Sequence, residues 1–231
     1  MPETLRQFRA RVDGFTHDSL PHQGGFMTRE SLRDKVSPEG TLTPFFGSTV
    51  IWELDDASRQ ALAVHQALLY ERCAACLAEP LRPDAFHITL HDLVSGADAL
   101  AIETDAARTA AQAEAILASQ RAAGFPAVHL RSTAMFSMVA TSMVMGFAPQ
   151  TEADCAVLMG LYEAFHAVRP LAWQLTPHVT LAYYRPGEIS AQAGSALRSA
   201  IAASAALPPV SVVLQPEQLR VSRFRDMNHY L

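Results

Sequence analysis

Phe86-His87-Ile88-Thr89-Leu90 and Pro177-His178-Val179-Thr180-Leu181 carry one pattern twice, His-x-Thr-Leu, with about ninety residues between the copies. At this chain's own His, Thr and Leu frequencies a match is expected on the order of 0.06 times, so the pair is informative where one copy is not. The β-branched and aliphatic residues read as strand, where residues i and i+2 share a face and i+1 and i+3 take the other. His87 and Thr89 thus share one face, with Ile88 and Leu90 on the opposite, buried one. The second copy places His178 and Thr180 outward and Val179 and Leu181 inward, then runs on through Ala182-Tyr183-Tyr184. Two such strands facing across a groove present two imidazoles, one to take a proton and one to give it, and two hydroxyls to hold phosphoryl oxygens. That equipment suits acid/base phosphodiester chemistry without a metal.

The 231 residues, 49% hydrophobic and 18% charged, suffice for one large domain or two modest lobes around a buried core. A formal net charge of −5 disfavours a protein that grips long duplexes, whose affinity comes from many Lys and Arg contacts to phosphate. A small nucleotide or an RNA end remains compatible, with Arg185, Arg223 and Arg225 as local positive charge. No apolar run approaches a membrane span, and Glu3, Arg6, Arg9 and Arg11 interrupt the apolar core a signal peptide needs. A cytoplasmic protein without a membrane partner is therefore expected; a monomer is the default expectation, since nothing in the sequence fixes the oligomeric state. Three cysteines, an odd number, argue against a disulfide framework and agree with a reducing compartment.

Residues 1–46 show turn signals at Gly24-Gly25 and Ser37-Pro38-Glu39-Gly40 and no sustained apolar period. They read as an irregular N-terminal extension draped over the core, with a short helix around Thr28 to Lys35 and with His17 and His22 as solvated loop residues. Residues 47–231 read as a single bilobal domain. Ser48 to Leu54 is a first core strand, Asp55 to Ser58 supply capping residues for a helix running to about Glu79, and the first motif strand follows. A helix over about Thr104 to Arg121, two extended runs from Ala127 to Phe147 and a helix opened by Thr151 and Glu152 lead to the second motif strand. An Ala-rich helix over about Ser190 to Ala205 and strands at Val210 to Leu214 and Leu219 to Phe224 close the chain. Strand, helix and motif strand thus recur in each half, which predicts an α+β, pseudo-twofold fold with two antiparallel sheets flanking a central cleft and helices outside. No glycine-rich phosphate loop follows any strand, which disfavours a nucleotide-binding α/β fold.

The paired motifs and the helices between them resemble the 2H phosphoesterase superfamily, which includes 2′-5′ RNA ligase-like proteins and RNA cyclic phosphodiesterases. The resemblance covers roughly Gly47 to Phe224. Phe45-Phe46-Gly47-Ser48-Thr49-Val50 and the run from Pro83 through His87 to Leu93 look like a bacterial branch described only as 2′-5′ RNA ligase-like. The N-terminal extension departs from a minimal member. The resemblance implies a bilobal fold and metal-independent, cofactor-free phosphodiester chemistry on a 2′,3′-cyclic phosphate or 2′-5′ linkage in RNA processing. It assigns His87 and His178 as base and acid in an order left open, and Thr89 and Thr180 to the non-bridging oxygens. A module that binds nucleotides through the same cleft without turnover is the alternative.

Other residues admit two readings. His91, four after His87, falls on the motif face and is assigned to line or buttress the groove, since no third ligand of suitable spacing completes a metal site. Arg185 is either a phosphate ligand or an exposed strand-end arginine, and Tyr183 is a candidate to stack on a base. Trp52 is assigned to the core. Cys73 and Cys76 lie inside a helix, away from the N-terminus that would stabilise a thiolate, and read as packing. Met135, Met138, Met143 and Met145 read as packing on a strand face.

Overall fold

The computed structural model describes residues 3–17 and 19–231, the side chains of Phe15 and His17 excepted, so the reading of His17 lies outside the described residues. In chain order the elements are α1 (Leu5–His17), β1 (Phe26–Met27), β2 (Phe46–Glu53), α2 (Asp56–Cys73), β3 (His87–Gly96), α3 (Ala99–Ala123), β4 (Val128–Met138), β5 (Ser142–Pro149), α4 (Glu152–Phe165), β6 (His178–Tyr183), β7 (Glu188–Ile189), α5 (Ala191–Ala205), β8 (Ser211–Leu214), β9 (Leu219–Asp226) and β10 (His229–Tyr230). Two four-stranded antiparallel sheets, ordered β10-β9-β2-β3 and β6-β5-β4-β8, meet where the edge strands β3 and β6 adjoin. This is the α+β, bilobal arrangement expected. Among the described residues no helix is long and apolar enough to cross a membrane.

Side-chain caps start the helices where the sequence offers them. Asp55 accepts from the Ser58 N–H at 2.7 Å to open α2, Asp98 and Ser190 cap α3 and α5, and Thr151 and Asp154 form a reciprocal capping box on α4. Helix α3 covers β2, β3 and β9, while α2 and α5 pack on each other and reach β6 and β4 of the second sheet. Helix α2 thus crosses from the first motif unit to the second sheet. Helix α4 touches both sheets through β3, β4 and β5, which ties the lobes together. The tie is apolar, with Leu158, Leu161 and Phe165 at most 2% exposed.

Both motif strands carry a bulge at the same motif position. On β3, Thr89 pairs with Ile51 and His91 with Val50, so Leu90 is the extra residue. On β6, Thr180 pairs with Val144 and Ala182 with Met143, which makes Leu181 the extra one. A one-residue bulge reverses the side-chain alternation beyond it. The pseudo-twofold relation therefore extends to backbone irregularities that the motif letters do not spell.

The irregular reading of residues 1–46 is corrected by α1, a 13-residue helix whose Phe8 and Val12 are fully buried against β4, β5 and α4. Leu5, Phe8 and Val12 form a short helical stripe that the surrounding Arg, Gln and Asp obscure. Leu20, Leu32, Val36 and Phe45 join the same core, and β1 pairs with β7. A 3₁₀ helix over Glu30–Asp34 stands where the short helix was expected, and His22 is exposed. The segment is an integral layer of the fold.

Candidate active site

The alternation argument holds across both motifs: His87, Thr89, His178 and Thr180 are partly exposed, while Ile88, Leu90, Val179 and Leu181 are buried. All four motif side chains line one cleft of about 680 Å³ between the sheets. His87 Nδ1 lies 2.8 Å from the Ala85 carbonyl and His178 Nδ1 lies 2.7 Å from the Thr176 carbonyl, each two residues back along the chain. A carbonyl can only accept, so Nδ1 carries the proton and Nε2 is the nitrogen left for the cleft. The two imidazoles are thus set in the same tautomer by the same local device.

Burial pushes the His87 imidazole down to about 4; the Ala85 bond opposes this, and the charges of His178 and Arg220 add to it. His178 is also held below its ordinary value by burial. There the Thr176 bond and the charge of Asp92 oppose the shift, and Lys35 adds to it. Both rings are neutral at pH 7 in the ligand-free cleft, and only His178 has a carboxylate favouring its protonated form.

Beyond the bulge on β6, Tyr183 returns to the cleft, where its hydroxyl lies 3.1 Å from Met227 Sδ. Asp92 occupies the matching place on β3. His91, by contrast, is corrected as a lining or ligand-binding residue: the bulge at Leu90 turns it out of the cleft to a position 1% exposed, among Tyr162, Phe165 and His166 of the α4 region, where it buttresses the cleft only from behind, through Tyr162. Of the two readings of Arg185, the exposed strand-end arginine is the one the structure shows, and the phosphate ligand is corrected. Its Nε donates to the Leu77 carbonyl at 2.9 Å and it does not line the cleft, and neither do Arg223 or Arg225. The cations that do line it, Arg11, Arg29 and Lys35, all come from residues 1–46.

Tyr230 is a cleft residue that the sequence did not disclose, with its ring centroid 4.3 Å from that of His87. It sits on a two-residue strand near the chain's end, where no periodicity marks it. Trp173, 57% exposed on the loop before the second motif, also lines the cleft. Trp52 is fully buried with its indole N–H donating to the Gln215 carbonyl, as assigned. The three cysteines are free and buried, and burial pushes the Cys73 thiol up to about 12, which leaves it unreactive. Among the described residues no group of three or more His, Cys, Asp or Glu side chains gathers to hold a metal.

No protein-family model and no curated protein matches the chain. Among solved structures it is similar to the conserved protein of unknown function ATU0111 from Agrobacterium tumefaciens, with a TM-score of 0.67 at 18% identity over 95% of this chain and 96% of that one. Residues 47–231 alone cannot reach that coverage, so the shared fold includes most of the N-terminal segment. E. coli LigT, in an apo form and in a complex with 3′-AMP, aligns with TM-scores of 0.46 and 0.49 at 13% and 12% identity, over 81% of this chain and 94% of LigT in each case.

Proposed function

We propose that this chain is a metal-independent 2H-type phosphodiesterase acting on a small nucleotide or an RNA-terminal phosphodiester, a 2′,3′-cyclic phosphate or a 2′-5′ linkage, in the cytoplasm. The observation that carries this reading is the pair of imidazoles, one from each sheet, each tied through Nδ1 to a backbone carbonyl so that Nε2 serves the shared cleft. His87 is the base: its depressed affinity for protons keeps Nε2 free to accept one from the attacking water. His178 is the acid. Asp92 and the incoming phosphate charge raise its proton affinity, and it delivers the proton to the ribose oxygen as the phosphorus–oxygen bond breaks. Thr89 and Thr180, on the same faces, donate to the non-bridging oxygens as charge develops there.

The test is turnover of nucleoside 2′,3′-cyclic phosphates and 2′-5′ and 3′-5′ dinucleotides with EDTA present, for the native protein, His87→Ala and His178→Ala. Each substitution is expected to lower kcat by about 10²- to 10⁴-fold. Activity that survives both substitutions, or that needs added metal, overturns the reading. A nucleotide-binding module without turnover draws on the neutrality of both imidazoles in the free protein, and nucleotide binding without cleavage would favour it.

A further inference from the structure

Lys35 is the chain's only lysine; the other seventeen of the 18 basic residues are arginine. It lies in the cleft, partly buried, with Nζ 4.9 Å from the ring centroid of Phe45 and 5.7 Å from that of Tyr183. Its backbone is tied on both sides, the N–H to Leu32 and the carbonyl to the Thr43 N–H. Arg29 lines the same cleft, and its N–H donates to the Ala140 carbonyl at the tip of the β4–β5 hairpin. Tyr183 pairs with Ser142 at the base of that tip, so Lys35 and Arg29 both stand at the hairpin end of the cleft. Among the described residues neither side chain is in an ion pair, unlike Arg11, which Glu3 neutralises.

Lys35, half-buried and without an ion pair, calls for an anion, and Arg29, exposed at the same end of the cleft, is free to swing onto it. The motif histidines and threonines already account for one phosphate. We propose that Lys35 and Arg29 form a subsite for a second phosphate of the ligand, so that the preferred substrate carries a phosphate beyond the one the histidines address. This rests on the proposed function only for the placement of the first phosphate. The second phosphate is either a terminal 5′-phosphate or the next diester of an oligonucleotide.

Equilibrium binding tests the subsite apart from turnover. Adenosine 3′-phosphate is compared with adenosine 3′,5′-bisphosphate and with a 3′-phosphorylated adenosine dinucleotide, for the native protein, Lys35→Met, Lys35→Arg and Arg29→Met, each checked for native thermal unfolding. The second phosphate is expected to tighten binding by about tenfold or more in the native protein. Lys35→Met should abolish most of that gain and Lys35→Arg should restore part of it. The larger gain, bisphosphate or dinucleotide, assigns the source. Because Lys35 is the sole lysine, its acylation by an amine reagent, read by peptide mass, should also be blocked by the doubly phosphorylated ligand. A native protein that binds the mono- and bisphosphate equally, or a gain retained in both Lys35→Met and Arg29→Met, overturns the subsite. Cleavage of cyclic phosphates in that circumstance leaves the proposed function standing, whereas a subsite without cleavage does the reverse.

Discussion

Arg11→Met probes how far the N-terminal helix sets the second motif. Arg11 makes a two-point ion pair with Glu3, at 2.9 and 2.8 Å, in which the Glu3 side chain is only 12% exposed. It also donates to the Leu175 carbonyl at 2.9 Å and to Thr176 Oγ1 at 3.3 Å. Thr176 is the residue whose carbonyl holds His178 Nδ1. Breaking a fully buried pair costs about 3–5 kcal/mol, and this one keeps some water, so we expect about 2–3 kcal/mol of lost stability, including the two bonds to the loop. Stability would be read by urea unfolding at pH 7. The specific effect falls on His178, whose Nδ1 partner is no longer anchored: its imidazole nitrogens, followed by NMR with labelled histidine, should move toward a mixture of tautomers, while those of His87 stay as they were. A loss below about 0.5 kcal/mol, the range of ordinary surface substitutions, together with an unchanged His178 tautomer, would refute the reasoning.

Acid should weaken the fold in a defined window. Burial pushes His91 down to about 4 from 6.5, so the unfolded chain takes up a proton between those values that the folded chain refuses; His91's contribution is complete above about pH 6.5, falls by up to about 3 kcal/mol toward pH 4 and then levels off. His91→Leu should flatten that part of the stability profile, measured by chemical unfolding at each pH, and an unchanged slope would exclude the assignment. At the β4–β5 turn, Val139 and Ala140 hold φ of 44° and 56°, a conformation that Asn and Gly adopt easily and a β-branched residue does not. The double substitution Val139→Asn with Ala140→Gly should stabilise the protein by about 1 kcal/mol in thermal or urea unfolding. Gly47 lies between β3 and β9, where an added Cβ would strike the Val94 carbonyl oxygen and come within 2.6 Å of Phe224 Cζ. Gly47→Ala should therefore cost about 1–3 kcal/mol by the same assay.

The motif strands and the helix caps at Asp55 and Thr151 could be read from local chemistry because each rests on contacts within a few residues. His91 and Arg185 could not. The face that His91 occupies depends on a bulge created by pairing with β2, and the fate of Arg185 depends on the Leu77 carbonyl, distant in sequence. The N-terminal helix escaped notice because three apolar residues among charges make a weak period until a sheet is present to receive them.

The sequence by itself determined that two His-x-Thr-Leu strands bury Ile88, Leu90, Val179 and Leu181 and turn two imidazoles and two hydroxyls the other way, since strand alternation is a local property of the backbone. Only the tertiary structure decided what faces them. The bulges that place Tyr183 and Asp92 in the cleft follow from register with neighbouring strands, and the aromatic wall at Tyr230 and the cations at Arg29 and Lys35 come from opposite ends of the chain. These are long-range pairings, whose partners no local pattern specifies.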